Sequence, residues 1–181
     1  MIVTGISQPP ARLHERASLP STELVYLAVT ALRHYQASHL ITSLAWGWEQ
    51  ALAIAADELE IPYTAALPYP GREVEWPRAS RVIYSDLLAR AKEVILLSDC
   101  YSDPAVIAGH RWRVDRTGLV LALWDFEFSG DTFATIQYAL GSQKSVVNLW
   151  QDWDSLYSLR KPAFPILIQT AGRGAQVFER K

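Results

Sequence analysis

Gly130-Asp131-Thr132, with Thr135 one turn further on, sets a glycine, a carboxylate and two hydroxyls at what reads as the start of a helix. Such a start has unsatisfied N–H groups and a partial positive charge, which makes it a seat for phosphate. Asp131 opposes a phosphate there by like-charge repulsion, unless its carboxylate points away or engages a ribose hydroxyl or a metal. Arg72 stands on a loop stiffened by Pro68 and Pro70, a good place from which to aim a guanidinium at phosphate. Arg111 and Asp115 are spaced as neighbours on a helix, either as a surface ion pair or as an anion binder with its orienting carboxylate. His110 beside them can hydrogen-bond a base or take part in acid–base work. Glu49 and Asp125 suit ribose hydroxyls, or a pairing across a cleft for hydrolysis of a glycosidic bond. Trp46, Trp48 and Trp76 offer indoles that can stack on a purine.

These residues reach one place only if the right elements carry them. The run over 118–124 is apolar without alternation, as in a central parallel strand covered on both faces. Further strands are expected over 2–6, 39–45, 61–67, 93–98 and 144–150. Between them lie helical patterns. Ser21 is placed to cap a helix whose apolar positions Leu24, Leu27, Ala28, Ala31, Leu32 and Tyr35 share a face. An alanine-rich helix follows Gln50, and one over 80–92 has Val82, Leu87, Leu88 and Ala91 as its expected inner face. Pro104 opens the helix that carries His110, and a helix over 132–140 follows the glycine turn. Alternation of this kind predicts an α/β fold, a Rossmann-like doubly wound, mostly parallel sheet of about six strands with helices on both faces. Right-handed crossovers then gather the loops at the carboxyl ends of the strands along one edge, the expected ligand site. Gly5 at the end of the first strand, Gly47 and Gly130 are the glycines placed for a sharp turn or for backbone contact with a ligand there. The proline-rich loop after the first strand, with Arg12, His14 and Arg16, belongs to the same edge.

Bulk properties narrow the function classes. Half of the 181 residues are hydrophobic, enough for a single domain with a sizeable core. Lys plus Arg is 17 against Asp plus Glu 19, a net charge of −2, so no overall basic character points to nucleic acid. The single cysteine, Cys100, excludes an internal disulfide framework and fits a reducing cytoplasm. With neither a signal-like start nor a membrane-length apolar run, a soluble cytoplasmic protein is expected. No His/Cys cluster has metal-site spacing, and no metal is expected. Residues 1–150 are read as the domain; residues 151–181 are read as an extension packed on its edge or on a dimer interface.

The order of motifs resembles the YpsA-like branch of the SLOG superfamily, the Rossmann-like group that includes DprA and the LOG cytokinin-activating enzymes. The resemblance covers about residues 1–150. It is carried by Thr4-Gly5, by Leu44-Ala-Trp-Gly47-Trp-Glu49 before the alanine-rich helix, and by Ala66-Leu-Pro68-Tyr-Pro70-Gly71-Arg-Glu-Val-Glu-Trp76. Arg111-Trp112-Arg-Val-Asp115, Leu121-Ala-Leu-Trp-Asp125 and Gly130-Asp131-Thr132 with Thr135 complete it. It implies binding of a nucleotide or nucleotide-derived small molecule by a sensor or sequestering protein; beyond that ligand no cofactor is assigned. Phosphate would sit on the helix that starts near Thr132, and ribose or base near Glu49, Trp76 and Arg72. Gly5, Gly47, His110, Arg111, Asp115, Asp125, Gly130 and Thr135 complete the ligand set. The sequence departs from the family at Thr42-Ser43, where Ser-Gly is usual, and at Gly47-Trp48-Glu49, where the family has Gly-x-Asp. The glutamate of the LOG signature is absent after Thr132. A LOG-like hydrolase of a nucleotide N-glycosidic bond therefore needs Glu49, Asp115 or Asp131 in its stead. A DprA-like alternative is single-stranded nucleic-acid binding through Arg12, Arg16, Arg72, Arg78, Arg81, Arg111 and Arg113; the net charge makes this the least favoured. The superfamily also admits a homodimer, for which the sequence shows no specific seam.

Overall fold

The strands and helices alternate as the hydrophobic pattern predicts. The computed structural model describes residues 1–7, 20–157 and 166–168. In chain order the elements are β1 (Ile2–Ser7), α1 (Thr22–His34), β2 (His39–Thr42), α2 (Trp48–Glu58), β3 (Tyr63–Leu67), α3 (Arg78–Arg90) and β4 (Glu93–Leu96). They continue with α4 (Asp103–Asp115), β5 (Leu119–Leu123), α5 (Gly130–Gly141), β6 (Ser145–Asn148), α6 (Trp150–Tyr157) and β7 (Ile166–Ile168). The sheet runs β4-β3-β2-β1-β5-β6-β7, parallel throughout except that β7 pairs antiparallel with β6. The loop after β1, with Arg12, His14 and Arg16, lies outside the described residues. Among the described residues no helix is long and apolar enough to cross a membrane.

The order of the strands dictates which face each helix covers. From β1 to β4 the chain steps one way across the sheet, and then returns to the other side of β1 to lay down β5. Right-handed crossovers in opposite directions put the connecting helices on opposite faces. Accordingly α1, α2, α3 and α6 pack together on one face, while α4 and α5 pack on each other on the second. Each face has its own core, a larger one around Leu24, Leu32, Trp48, Leu52 and Tyr63, and a smaller one around Ile6, Val120, Trp124 and Ile136. All five residues of β5 are buried, as expected for the central strand between them. Trp153 of α6 lies in the larger core, and β7 extends the sheet, so the described residues beyond 150 continue the same layers.

Local chemistry explains most boundaries. Ser21 caps α1 by accepting from the Leu24 N–H at 3.2 Å, and Leu24, Leu27, Ala28, Ala31 and Leu32 form its buried stripe. Ser102 caps α4 in the same way through Ala105 N–H, with Pro104 in the first turn. Two expectations are corrected. The inner face of α3 is Ser80, Tyr84 and Leu87, whereas Val82 is 62% exposed. Ser80, Tyr84 and Leu87 are four and three residues apart and share one helical face, and at 100° per residue Val82 falls on the opposite side of α3. The helix after the glycine turn begins at Gly130, two residues before Thr132, so Thr132 is a residue of the first turn rather than its start.

Gly5 also has a different role from the expected one. It lies inside β1, paired with Leu121, and the strand continues to Ser7 without turning there. A Cβ at Gly5 would overlap Leu52 Cδ1 of α2 and sit 3.4 Å from Glu49 Cγ. The glycine lets the alanine-rich α2 approach the strand, and Leu52 is fully buried with nowhere to retreat. Gly5→Val is therefore expected to destabilise the protein by about 1 to 3 kcal/mol through overpacking, measured as a lowered urea midpoint. A midpoint equal to that of the unmodified protein would show that α2 yields without cost.

Candidate functional site

Between β1 and β5 the direction of winding reverses, and loops from neighbouring strands diverge there to leave a crevice. A cleft of about 520 Å³ opens at this point. Ile6 and Ser7 from the end of β1, Ser43, Ala45 and Trp46 after β2, and Glu49 at the start of α2 form one part of its wall. Arg72 and Trp76 come from the loop after β3, Val106 and His110 from α4, and Glu127, Ser129, Gly130, Asp131 and Thr132 from the turn into α5.

The floor is a buried charge cluster. Glu49 is 2% exposed, and its Oε2 accepts from Ser43 N–H at 2.6 Å, Ser43 Oγ at 2.8 Å and Thr42 Oγ1 at 3.1 Å. Arg113, also 2% exposed, places Nη1 at 3.0 Å from the same oxygen and donates to the Gly5 carbonyl at 3.0 Å. Burial pushes the Glu49 carboxyl up, but the charges of Arg113 and Arg72 and the two bonds from Ser43 outweigh it and hold the group below its ordinary range. Leu44, which follows Ser43, is held at φ 54° and is fully buried. This left-handed turn directly after Ser43 is a local strain maintained by the packing around it.

Arg72 adds the second cation. Its Nη1 donates to Ser43 Oγ at 2.9 Å, and its guanidinium lies 5.4 Å from the centre of the Trp76 ring. Trp76 is held in turn by an edge contact with Tyr84 at 5.5 Å. Burial, the largest influence, lowers the Arg72 pKa; Glu49 opposes this and Arg113 adds to it. With Glu49 matched by Arg113, the charge of Arg72 makes an anion in the cleft favourable.

His110 faces the second turn of α5, with Nδ1 at 2.9 Å from Thr135 Oγ1. Burial pushes its pKa down to about 3, and the neighbouring Arg113 and Arg72 act in the same direction. The ring is therefore neutral near pH 7. Thr135 donates to the Asp131 carbonyl at 2.7 Å, and Thr132 donates to the Ser7 carbonyl at 2.7 Å, tying α5 to the end of β1. Ser129 precedes α5 without capping it through its side chain, and Gly130 has φ 78° with no atom within 4 Å of where a Cβ would stand. The start of α5 is thus open to the cleft.

Of the residues expected at the site, Glu49, Arg72, Trp76, His110, Gly130, Asp131 and Thr132 line the cleft, and Thr135 supports it through His110. Gly47 does not line it; at φ 93° it makes the turn between Trp46, which does, and the buried Trp48. Asp125 turns its loop by accepting from the Glu127 N–H at 3.1 Å, which brings Glu127 and Ser129 to the wall. Arg111 and Asp115 stand away from the cleft, where both are exposed and engage Tyr138 of α5, one over its ring at 5.1 Å and the other through its hydroxyl at 2.8 Å. Neither the anion-binding role of Arg111 nor the orienting role of Asp115 is supported by that position. Arg113 was expected only as a nucleic-acid contact, and burial removes it from that role. Helical spacing carries the signal for it, since Val106, His110 and Arg113 are four and three residues apart on one face of α4. Ser43 had no site role in the sequence because its part depends on Glu49 and Arg72 meeting it in the fold. Among the described residues no group of three or more His, Cys, Asp or Glu side chains could hold a metal ion.

The DNA processing protein A (DprA) of Streptococcus pneumoniae superimposes on this chain with a TM-score of 0.55 and 12% sequence identity. The fold is DprA-like. The match covers 80% of this chain and 48% of that one, so the chain spans about half the length of DprA. No family model and no curated protein matches the sequence. At this level of identity the likeness concerns the Rossmann-like fold alone.

Proposed function

We propose that this chain is a nucleotide or nucleotide-derivative binding protein of the SLOG type, YpsA-like in the order of its motifs, acting as a sensor or sequestering protein. The observation that carries the proposal is the composition of the cleft at the strand switch. One wall holds the Arg72 guanidinium between Ser43 and Trp76, with Trp46 beside it, and the other is the open first turn of α5 at Gly130. Guanidinium and helix N–H groups suit phosphate, indoles suit a purine face, and the carboxylates of Asp131 and Glu127 suit ribose hydroxyls.

Thermal unfolding against nucleoside mono-, di- and triphosphates, dinucleotides, ADP-ribose and cyclic nucleotides tests this. A ligand at 100 times its Kd is expected to raise the midpoint by roughly 5 to 10 °C. Gly130→Val puts a branched side chain into the cleft at a positive φ and should abolish that shift while the protein stays folded. A flat panel for the unmodified protein, or an unchanged shift in the folded variant, counts against the proposal.

A hydrolase of the N-glycosidic bond is the enzymatic alternative, and its proposed carboxylate is Asp131, which lines the cleft. Glu49 is committed on Oε2 to four contacts, and Asp115 is outside the cleft. Release of free base, lost in Asp131→Asn, would support this reading. DprA is named for DNA processing, and the corresponding proposal here is single-stranded nucleic-acid binding. It ranks last, because Arg113 is sealed beneath the cleft and Arg72 faces into it.

A further inference from the structure

The hydrogen bonds around His110 bear on which of its nitrogens carries the proton. Thr135 has one hydroxyl hydrogen, and it is directed to the Asp131 carbonyl at 2.7 Å. With that hydrogen on the Asp131 carbonyl, His110 Nδ1 is the donor at the 2.9 Å contact with Thr135 Oγ1. A neutral ring with Nδ1–H has a lone pair on Nε2. Nε2 has no hydrogen-bond partner among the described residues, and His110 is one of the residues that line the cleft. Next to it, Thr132 has committed its hydrogen to the Ser7 carbonyl and Ser129 has committed its own to Glu127 Oε1. The side chains of the α4/α5 wall thus present acceptors, including the Asp131 carboxylate, while the opposite wall presents the donors of Arg72.

We propose that His110 Nε2 is a specificity-determining acceptor for a ligand hydroxyl, so that the ligand lies with its sugar against His110 and Asp131 and its phosphate on Arg72. This orientation rests on the nucleotide reading above and differs from the sequence expectation, in which the helix that starts near Thr132 holds the phosphate. A lone pair and a carboxylate both repel a phosphate oxygen, and both attract a hydroxyl hydrogen.

Two measurements test it. In a ¹⁵N spectrum of the imidazoles at pH 7, His110 should show protonated Nδ1 and unprotonated Nε2; a protonated Nε2 overturns the inference whatever the ligand. Binding of the four ribonucleoside 5′-monophosphates, their 2′- and 3′-deoxy analogues and the parent nucleosides is then compared in the unmodified protein, His110→Phe and Arg72→Met. Removing the contacted hydroxyl should weaken binding about fivefold in the unmodified protein and leave it unchanged in His110→Phe. Removing the phosphate should weaken binding about tenfold or more in the unmodified protein and much less in Arg72→Met. Nucleotide binding with full phosphate dependence in Arg72→Met, or with full hydroxyl dependence in His110→Phe, overturns this orientation and leaves the nucleotide reading standing. Binding of no member of the panel overturns both. If His110→Phe does not fold, the tautomer and the Arg72 comparison still decide.

Discussion

Arg113→Met alone is expected to lower the unfolding free energy by about 3 to 5 kcal/mol, the cost of stranding a buried charge. Glu49 would keep its bonds from Ser43 and Thr42 but lose the guanidinium 3.0 Å away, in a site where both partners are almost fully enclosed. Glu49→Leu should cost a similar amount, because Arg113 would retain only the Gly5 carbonyl and Thr4 Oγ1 near its Nη1. The double variant should be more stable than the sum of the two losses implies, with a coupling of about 2 kcal/mol or more, since no charge is then left unmatched. Equilibrium urea unfolding of all four proteins gives these values. Single losses below about 1 kcal/mol would show that water or a rearranged Arg72 relieves the charge, and that the floor of the cleft is softer than its burial implies.

The contribution of His110 to stability should fall on acidification. His110 has a folded pKa of about 3, against an ordinary value of 6.5. Between these two values the unfolded chain binds more protons, so the stabilisation is complete above pH 6.5 and is lost as the pH falls toward 3. From pH 7 to 4.5 this amounts to roughly 2 to 3 kcal/mol. The groups facing the ring are Arg113 on its own helix, Arg72 from the loop after β3, Glu49 from α2 and Asp131 of α5. The two arginines disfavour its charge and Glu49 favours it. Glu49 is itself held low, so its stabilisation persists above its ordinary pKa and disappears as the pH falls through its folded value. Asp152, whose pKa burial raises to about 6, acts in the opposite sense, adding stability at low pH that is lost as the pH rises through that value. In His110→Asn the slope of unfolding free energy against pH between 6.5 and 4.5 should flatten markedly. An unchanged slope would place the titration elsewhere.

Local rules were sufficient where one stretch determines its own state. The cap at Ser21, the stripe of α1, Pro104 at the head of α4 and the unbroken apolar run of β5 could all be read from neighbours a few residues away, because they depend on helix and strand periods. The same rules failed for Val82, which was grouped with residues not on its face. They also failed for Gly5, whose meaning lies in the closeness of Leu52 across the sheet rather than in its own chain direction. Arg111 and Asp115 are the instructive pair. Their spacing is right for an interaction on a helix, but spacing alone does not tell which side of α4 meets the sheet, and it is the side of Val106, His110 and Arg113 that does.

By itself, then, the sequence determined the alternation of elements, the α/β class, the central strand and the strand ends along which a ligand site should lie. These follow from hydrophobic period, capping and chain direction, all short-range properties. Only the tertiary structure decided that Glu49 and Arg113 neutralise one another beneath the cleft, that Arg72 is left facing it, and that Thr135 meets His110. Each of those outcomes joins residues distant along the chain. Each depends on desolvation and on distances of about 3 Å, which no spacing along the chain encodes.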